Sequence, residues 1–225
     1  MIKAVLFDLD NTLIDFMRMK RQATDAALDA MIAAGVKLNK EEASRIVYQL
    51  YDEYGIEHQQ IFQEFLIRTQ KKVDHKILAA GIVAYRKART VLAEAYPGVM
   101  PTLLKLKQQG LKLAIVSDAP ILQAWTRLTE MKIQDFFDAV VTFDDTGERK
   151  PSAMPFKKAI EQLNVKPEEV LHVGDWPERD IAGAQALGLK TAFAKYGAVK
   201  PATVKADYEL NKIEDLLNIV NIVNN

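Results

Sequence analysis

The feature that most constrains this chain is its opening run, MIKAVLFDLDNTL, in which four apolar residues at 4–7 lead directly into Asp8 and Asp10. An unbroken apolar run of this length suits a parallel strand covered on both faces. Two carboxylates at its carboxyl end are costly to bury unless something cationic meets them. In an open α/β sheet that end of a strand is where ligands bind. On a regular strand Asp8 and Asp10 would point the same way; a distorted strand end would instead aim one side chain and one backbone carbonyl at a common point. Either arrangement suits a divalent ion with oxygen ligands, magnesium above all. Asp-Asn-Thr at 10–12 is also ordinary turn chemistry, so the rest of the chain decides between the two readings.

Composition narrows the classes. The chain has 225 residues, 49% of them hydrophobic, enough for one domain with a large insertion or for two domains. Thirty basic and thirty acidic residues cancel, leaving no overall field to attract nucleic acid or an anionic membrane. No cysteine is present, which excludes disulfides and thiolate chemistry. The first apolar run is too short for a signal peptide, and no run approaches the ~20 residues that span a bilayer. The expectation is a soluble, cytoplasmic protein with neither nucleic acid nor membrane as partner; monomer and homodimer both stay open.

From residue 16 to 95 the pattern is helical. Helices are expected over 17–34, from a capping box at Asn39 and Glu42 to about 54, around 61–66, and from about 74 to 95. From Pro97 onward strand and helix alternate with short connections, the signature of βαβ units. Strands are expected at 112–116, 139–143, 170–173, 190–194 and, at an edge, 208–210, with helices at 101–109, 120–131, 153–163, 178–187 and 213–220. The fold class is therefore α/β: a doubly wound, parallel Rossmann-like core over 1–15 and 96–225, with an all-helical cap inserted at 16–95.

The strands end in residues able to do chemistry: Asp8 and Asp10, then Ser117 and Asp118, then Asp175, with Lys150 in the loop after the third strand. In a parallel sheet these ends share one edge, so residues far apart in sequence converge there. His172, inside a strand, reads as a hydrogen-bonded core residue.

This set resembles the haloacid dehalogenase superfamily of hydrolases. Asp8, Asp10 and Thr12 match its DxDxT, Ser117 its second motif, Lys150 before Pro151 its third, and Gly174, Asp175 and Asp180 its GDxxxxD, all in the family's order. A helical insertion directly after the first motif matches the family's small cap. The resemblance implies that Asp8 is the nucleophile forming an aspartyl-phosphate and that Asp10 is the acid/base, its environment favouring the protonated form. It implies magnesium held by Asp8, the carbonyl of Asp10 and Asp175. Ser117 and Lys150 would hold phosphoryl oxygens, with Asp118 and Thr12 in the same phosphate-binding group. Asp180 would orient Lys150 or a metal-bound water. Asp10 favours phosphate ester chemistry, since family members that cleave carbon–halogen bonds lack an acid there. Asn11, in place of the common Gly, suits an unusual backbone angle. Arg18, Lys20 and Arg21, at the start of the insertion, are candidate contacts to an anionic substrate or a solvated helix face. The expected activity is hydrolysis of a small phosphorylated metabolite. The alternatives are a sugar phosphomutase of the same family and a non-catalytic phospho-ligand binding protein.

Overall fold

The computed structural model describes residues 1–199, 201 and 203–224. In chain order, β1 (Ala4–Phe7) is followed by four helices, α1 (Phe16–Ala34), α2 (Lys40–Tyr54), α3 (Ile61–Gln70) and α4 (His75–Leu92). Then come α5 (Val99–Gln108), β2 (Lys112–Val116), α6 (Ile121–Glu130), β3 (Ala139–Val141), α7 (Phe143–Thr146) and α8 (Ala153–Leu163). The chain continues with β4 (Val170–Gly174), α9 (Ala182–Gln185), β5 (Lys190–Ala194), β6 (Tyr208–Leu210) and α10 (Asp215–Asn224).

The six strands form one parallel sheet in the order β3-β2-β1-β4-β5-β6. This is the doubly wound order, and it reverses direction between β1 and β4, where such folds place their ligands. Strand β1 is central and buried throughout. Ala4 and Leu6 share a core with Ala114, Val116, Val141 and the α8 residues Phe156, Ala159 and Leu163. Phe7 meets Phe137 edge-on, with ring centroids 6.4 Å apart.

The chain divides into two compact units, Met1–Phe16 with Ala93–Asn225, and Met17–Leu92. The second unit is helical, with Leu28, Met31, Val47, Leu50, Phe65 and Leu66 in its core. Its α2 opens on the capping box: Asn39 Oδ1 accepts from Glu42 N at 2.8 Å, and Glu42 Oε2 from Asn39 N at 3.4 Å. In the first unit, pairing of Ile14 with Ala95 ties the point where the chain leaves to the point where it returns.

Three elements differ from expectation. Strand β3 stops at Val141, because Thr142 N and Oγ1 both bond Asp145 Oδ2 at 2.8 Å and open α7 where a loop was expected. The helix expected over 178–187 is instead a π-helical turn, Pro177–Ile181, leading into the short α9. The last helix runs to Asn224 rather than to about 220.

Candidate active site at the carboxyl edge of the sheet

The register sets Phe7 beside both Ile115 and Val173, so the ends of β1, β2 and β4 lie side by side. Asp8 N donates to Val173 O and Ser117 N to Val141 O, each at 2.9 Å. Beyond Asp8 the chain leaves the strand. Asn11 takes the left-handed conformation, φ 59°, and donates its N–H to Ile14 O at 2.7 Å. Tyr196 OH donates to Thr12 O at 2.7 Å. A Cβ at position 197 would lie 1.6 Å from Asn11 O, so only glycine lets these segments meet.

Because regular strand geometry ends at Phe7, Asp8 and Asp10 do not point together. They are held by different cations. Lys150 Nζ donates to Asp8 Oδ1 at 2.5 Å, while Arg127 Nη1 donates to Asp10 Oδ2 at 2.7 Å.

Lys150 also donates to Asp180 Oδ1 at 2.6 Å. Asp180 is held further by His172 Nε2 at 3.2 Å and by Trp176 N, which donates to Oδ2 at 3.0 Å. The π-helical turn brings this carboxylate back to Trp176 N. Gly174 leaves the room, since a Cβ there would lie 2.3 Å from Asp180 Cγ. Lys150 N donates to Asp118 Oδ1 at 2.9 Å, and Arg179 Nη1 meets Asp118 Oδ2 at 3.2 Å while its guanidinium lies 4.0 Å from the centre of the Trp176 ring. The peptide bond from Lys150 to Pro151 is cis.

The charges explain the bonding. Burial raises Asp8 well above the usual carboxylate range; Lys150 offsets part of this, and Asp180, Asp175 and Asp10 add to it. Asp175 is pushed up to about 7 by burial and then by Asp180. Burial acts on Asp180 in the same direction, but Lys150 and His172 outweigh it and hold that carboxyl well below its usual range. Lys150 is likewise desolvated, yet Asp180 and Asp8 keep it firmly protonated. Burial lowers His172, which is neutral and donates to Asp180. One ammonium thus serves three buried carboxylates.

That deficit of positive charge is what a divalent cation supplies. Carboxylate oxygens of Asp8, Asp175 and Asp180 lie within 4.8 Å of one another. These hard oxygen donors suit magnesium. Asp180 is held by Lys150, His172 and Trp176 N together, whereas Asp8 has Lys150 and the longer Thr12 contact and Asp175 only a 3.5 Å approach from Thr12 among the contacts described. The Asp10 carboxylate, turned to Arg127, is not in this group.

Several expected residues take other places. Thr12 is fully buried, and its hydroxyl faces Asp8 Oδ2 at 3.3 Å and Asp175 Oδ1 at 3.5 Å, separating two like charges. The Asp118 side chain braces the Lys150 loop, its Oδ1 accepting from Lys150 N and its Oδ2 meeting Arg179. Ser117 is buried at the end of β2, its Oγ accepting from Ala119 N at 3.2 Å. Arg18, Lys20 and Arg21 belong to the helical unit, where Arg18 and Arg21 are exposed. Lys20 is buried, 4.7 Å from the centre of the Tyr51 ring and 5.5 Å from that of Tyr85, which is not a solvated helix face. Arg127 and Arg179 escaped the sequence reading. For Arg127 the signal was available: it interrupts the apolar stripe of Ala124 and Leu128 on α6, continued by Met131 at its C-cap.

Comparison with known proteins agrees with this geometry. The haloacid dehalogenase-like hydrolase family profile matches residues 2–188. Glyceraldehyde 3-phosphate phosphatase of Pyrococcus furiosus is 34% identical over 223 residues, 97% of this chain and 93% of that protein. Pyrophosphatase PpaX of Bacillus cereus is 33% identical over 230 residues, 99% of this chain and 98% of that protein. Among solved structures, the magnesium-bound hydrolase YfnB of Bacillus subtilis superposes with a TM-score of 0.72 at 25% identity, covering 98% of this chain and 99% of that one.

Proposed function

The chain belongs to the haloacid dehalogenase-like hydrolases, and on that footing we propose that it is a magnesium-dependent phosphatase that cleaves a small phosphate monoester through an aspartyl-phosphate on Asp8. The observation that carries this reading is the separate holding of the two leading carboxyls, Asp8 by Lys150 and Asp10 by Arg127. Two equivalent ligands would not need different partners; a nucleophile and an acid/base do.

In the proposed sequence an Asp8 oxygen attacks phosphorus in line, and the bond from phosphorus to the ester oxygen breaks. Asp10 gives its proton to that oxygen, and the alcohol leaves. Water then attacks the phosphorus of the acyl phosphate. Asp10 takes the water proton, Asp8 is regenerated, and inorganic phosphate departs. Ser117 and Lys150 hold phosphoryl oxygens as charge builds on them. Asp8, Asp175 and the backbone carbonyl of Asp10 would hold magnesium, whose charge lowers the repulsion between an anionic nucleophile and an anionic ester. Asp180 and His172 keep Lys150 charged and aimed.

The relatives' names support glyceraldehyde 3-phosphate as the substrate, and PpaX supports pyrophosphate as a second reading. The test is phosphate release over a panel of monoesters and pyrophosphate with magnesium, run beside Asp8→Asn. We expect glyceraldehyde 3-phosphate to be hydrolysed fastest and Asp8→Asn to lose more than about 10³-fold of that rate while melting at or above the wild-type temperature. Equal turnover by both proteins would remove Asp8 as nucleophile. A phosphorylated enzyme that transfers to sugars without sustained phosphate release would favour the mutase.

A further inference from the structure

We propose that Arg127 is a positioning residue for the acid/base carboxyl, fixing the direction in which Asp10 faces the leaving-group oxygen; the inference rests on the role given to Asp10 above.

Arg127 is 6% exposed and sits on α6 between Ala124 and Leu128, both fully buried. A permanent charge in an apolar stripe is costly unless it is paired. Two of its contacts come from one short segment: Nη1 donates to Asp10 Oδ2 at 2.7 Å, and the Phe16 ring lies with its centroid 4.3 Å from Cζ. A planar guanidinium stacked on a ring is restricted in orientation as well as in place. The helix after β2 thereby grips the turn after β1 at the one residue whose direction matters for proton transfer.

The need for such a grip follows from the surroundings. Asp8 is fixed by Lys150 and Thr12, whereas the Asp10 side chain lies beyond the end of the strand and is 23% exposed. A carboxyl there, unanchored, would sample several rotamers, and a misplacement of about 1 Å can cost roughly 10²-fold in rate.

The test compares two esters. An alkyl monoester such as glyceraldehyde 3-phosphate needs its leaving oxygen protonated, whereas p-nitrophenyl phosphate expels a stable phenolate that does not. In Arg127→Met, kcat/KM for the alkyl ester should fall about 10–100-fold with KM within about threefold, while kcat/KM for the aryl ester stays within about threefold. Arg127→Lys, which returns a cation, should recover the alkyl-ester value to within about tenfold of wild type. Arg127→Gln, which keeps length and an amide donor, is read by the same ratio should the Met variant fail to fold. In an Asp10→Ala background, Arg127→Met should cost nothing further. Equal loss on both esters, or no loss on either, would overturn the positioning role, provided Asp10→Ala itself separates the esters. If Asp10→Ala does not separate them, the role given to Asp10 is wrong and the inference falls with it.

Discussion

Within Met17–Leu92 the largest fully buried side chains are Leu28, Met31, Leu50, Phe65 and Leu66; towards the carboxyl edge of the sheet the buried side chains include Asp8, Lys150, His172, Asp175 and Asp180. The first group coheres by contact area, which is non-directional and forgiving of shape. The second coheres by a few bonds from specific atoms, and each member is tolerable only because another stands opposite it. The one buried lysine of the helical unit, Lys20, is covered by the faces of Tyr51 and Tyr85. Stability in one region is therefore a sum over many small terms, and in the other a property of the whole set.

Substitution by methionine separates the two regimes, because it roughly preserves the length of either lysine or leucine. Lys150→Met strands Asp8 and Asp180 together and should cost about 3–5 kcal/mol in chemical denaturation, with turnover lost as well. Leu66→Met should cost less than about 1.5 kcal/mol, although emptying the same site with Leu66→Ala should cost about 2–5 kcal/mol. If Lys150→Met were as mild as Leu66→Met, the edge would be an ordinary core and the comparison would collapse.

The smallest effect concerns the opposite, amino edge of the sheet. There burial acts to raise Asp138, but bonds from Lys107 Nζ and Leu113 N outweigh it and hold the carboxyl below its ordinary 3.8. A carboxyl depressed in the folded state contributes stability above its unfolded pKa and loses it as pH falls through the folded value. Melting temperature followed from about pH 6 to 3 should therefore drop less steeply in Asp138→Asn than in wild type. The difference should stay within about 1 kcal/mol, since both partners are partly exposed and screened.

The sheet was legible because its strands are short apolar runs that end in polar residues, and the parallel arrangement collects those ends without further information. The roles at the edge were less so. The link from Asp180 to Lys150, thirty residues away, came from the family resemblance and not from local pattern, and nothing local announces that Pro177–Ile181 forms a π-turn. Thr12 gives no local sign that its hydroxyl is buried against Asp8 and Asp175. The α7 turn was hidden because Thr142 and Asp145 form a capping box directly at a strand's end, where a loop is the simpler reading. Arg127 could have been found: a lone charge on an otherwise apolar helix face asks for a buried partner.

The central place of β1 has a consequence for synthesis. Its two hydrogen-bonding neighbours begin at Lys112 and Val170, so Ala4 emerges from the ribosome long before either exists. At about 5–20 residues per second, the first strand waits roughly 10–30 s for its second neighbour. During that interval the helical segment, whose core cluster is drawn from residues of Met17–Leu92, is already complete in sequence. The nascent chain thus carries Asp8 on an unpaired apolar strand, with the helical segment as the next thing along. The second neighbour of that strand, β4, leads directly into Asp175, so pairing of β1 on both sides and arrival of that carboxylate beside Asp8 are one event.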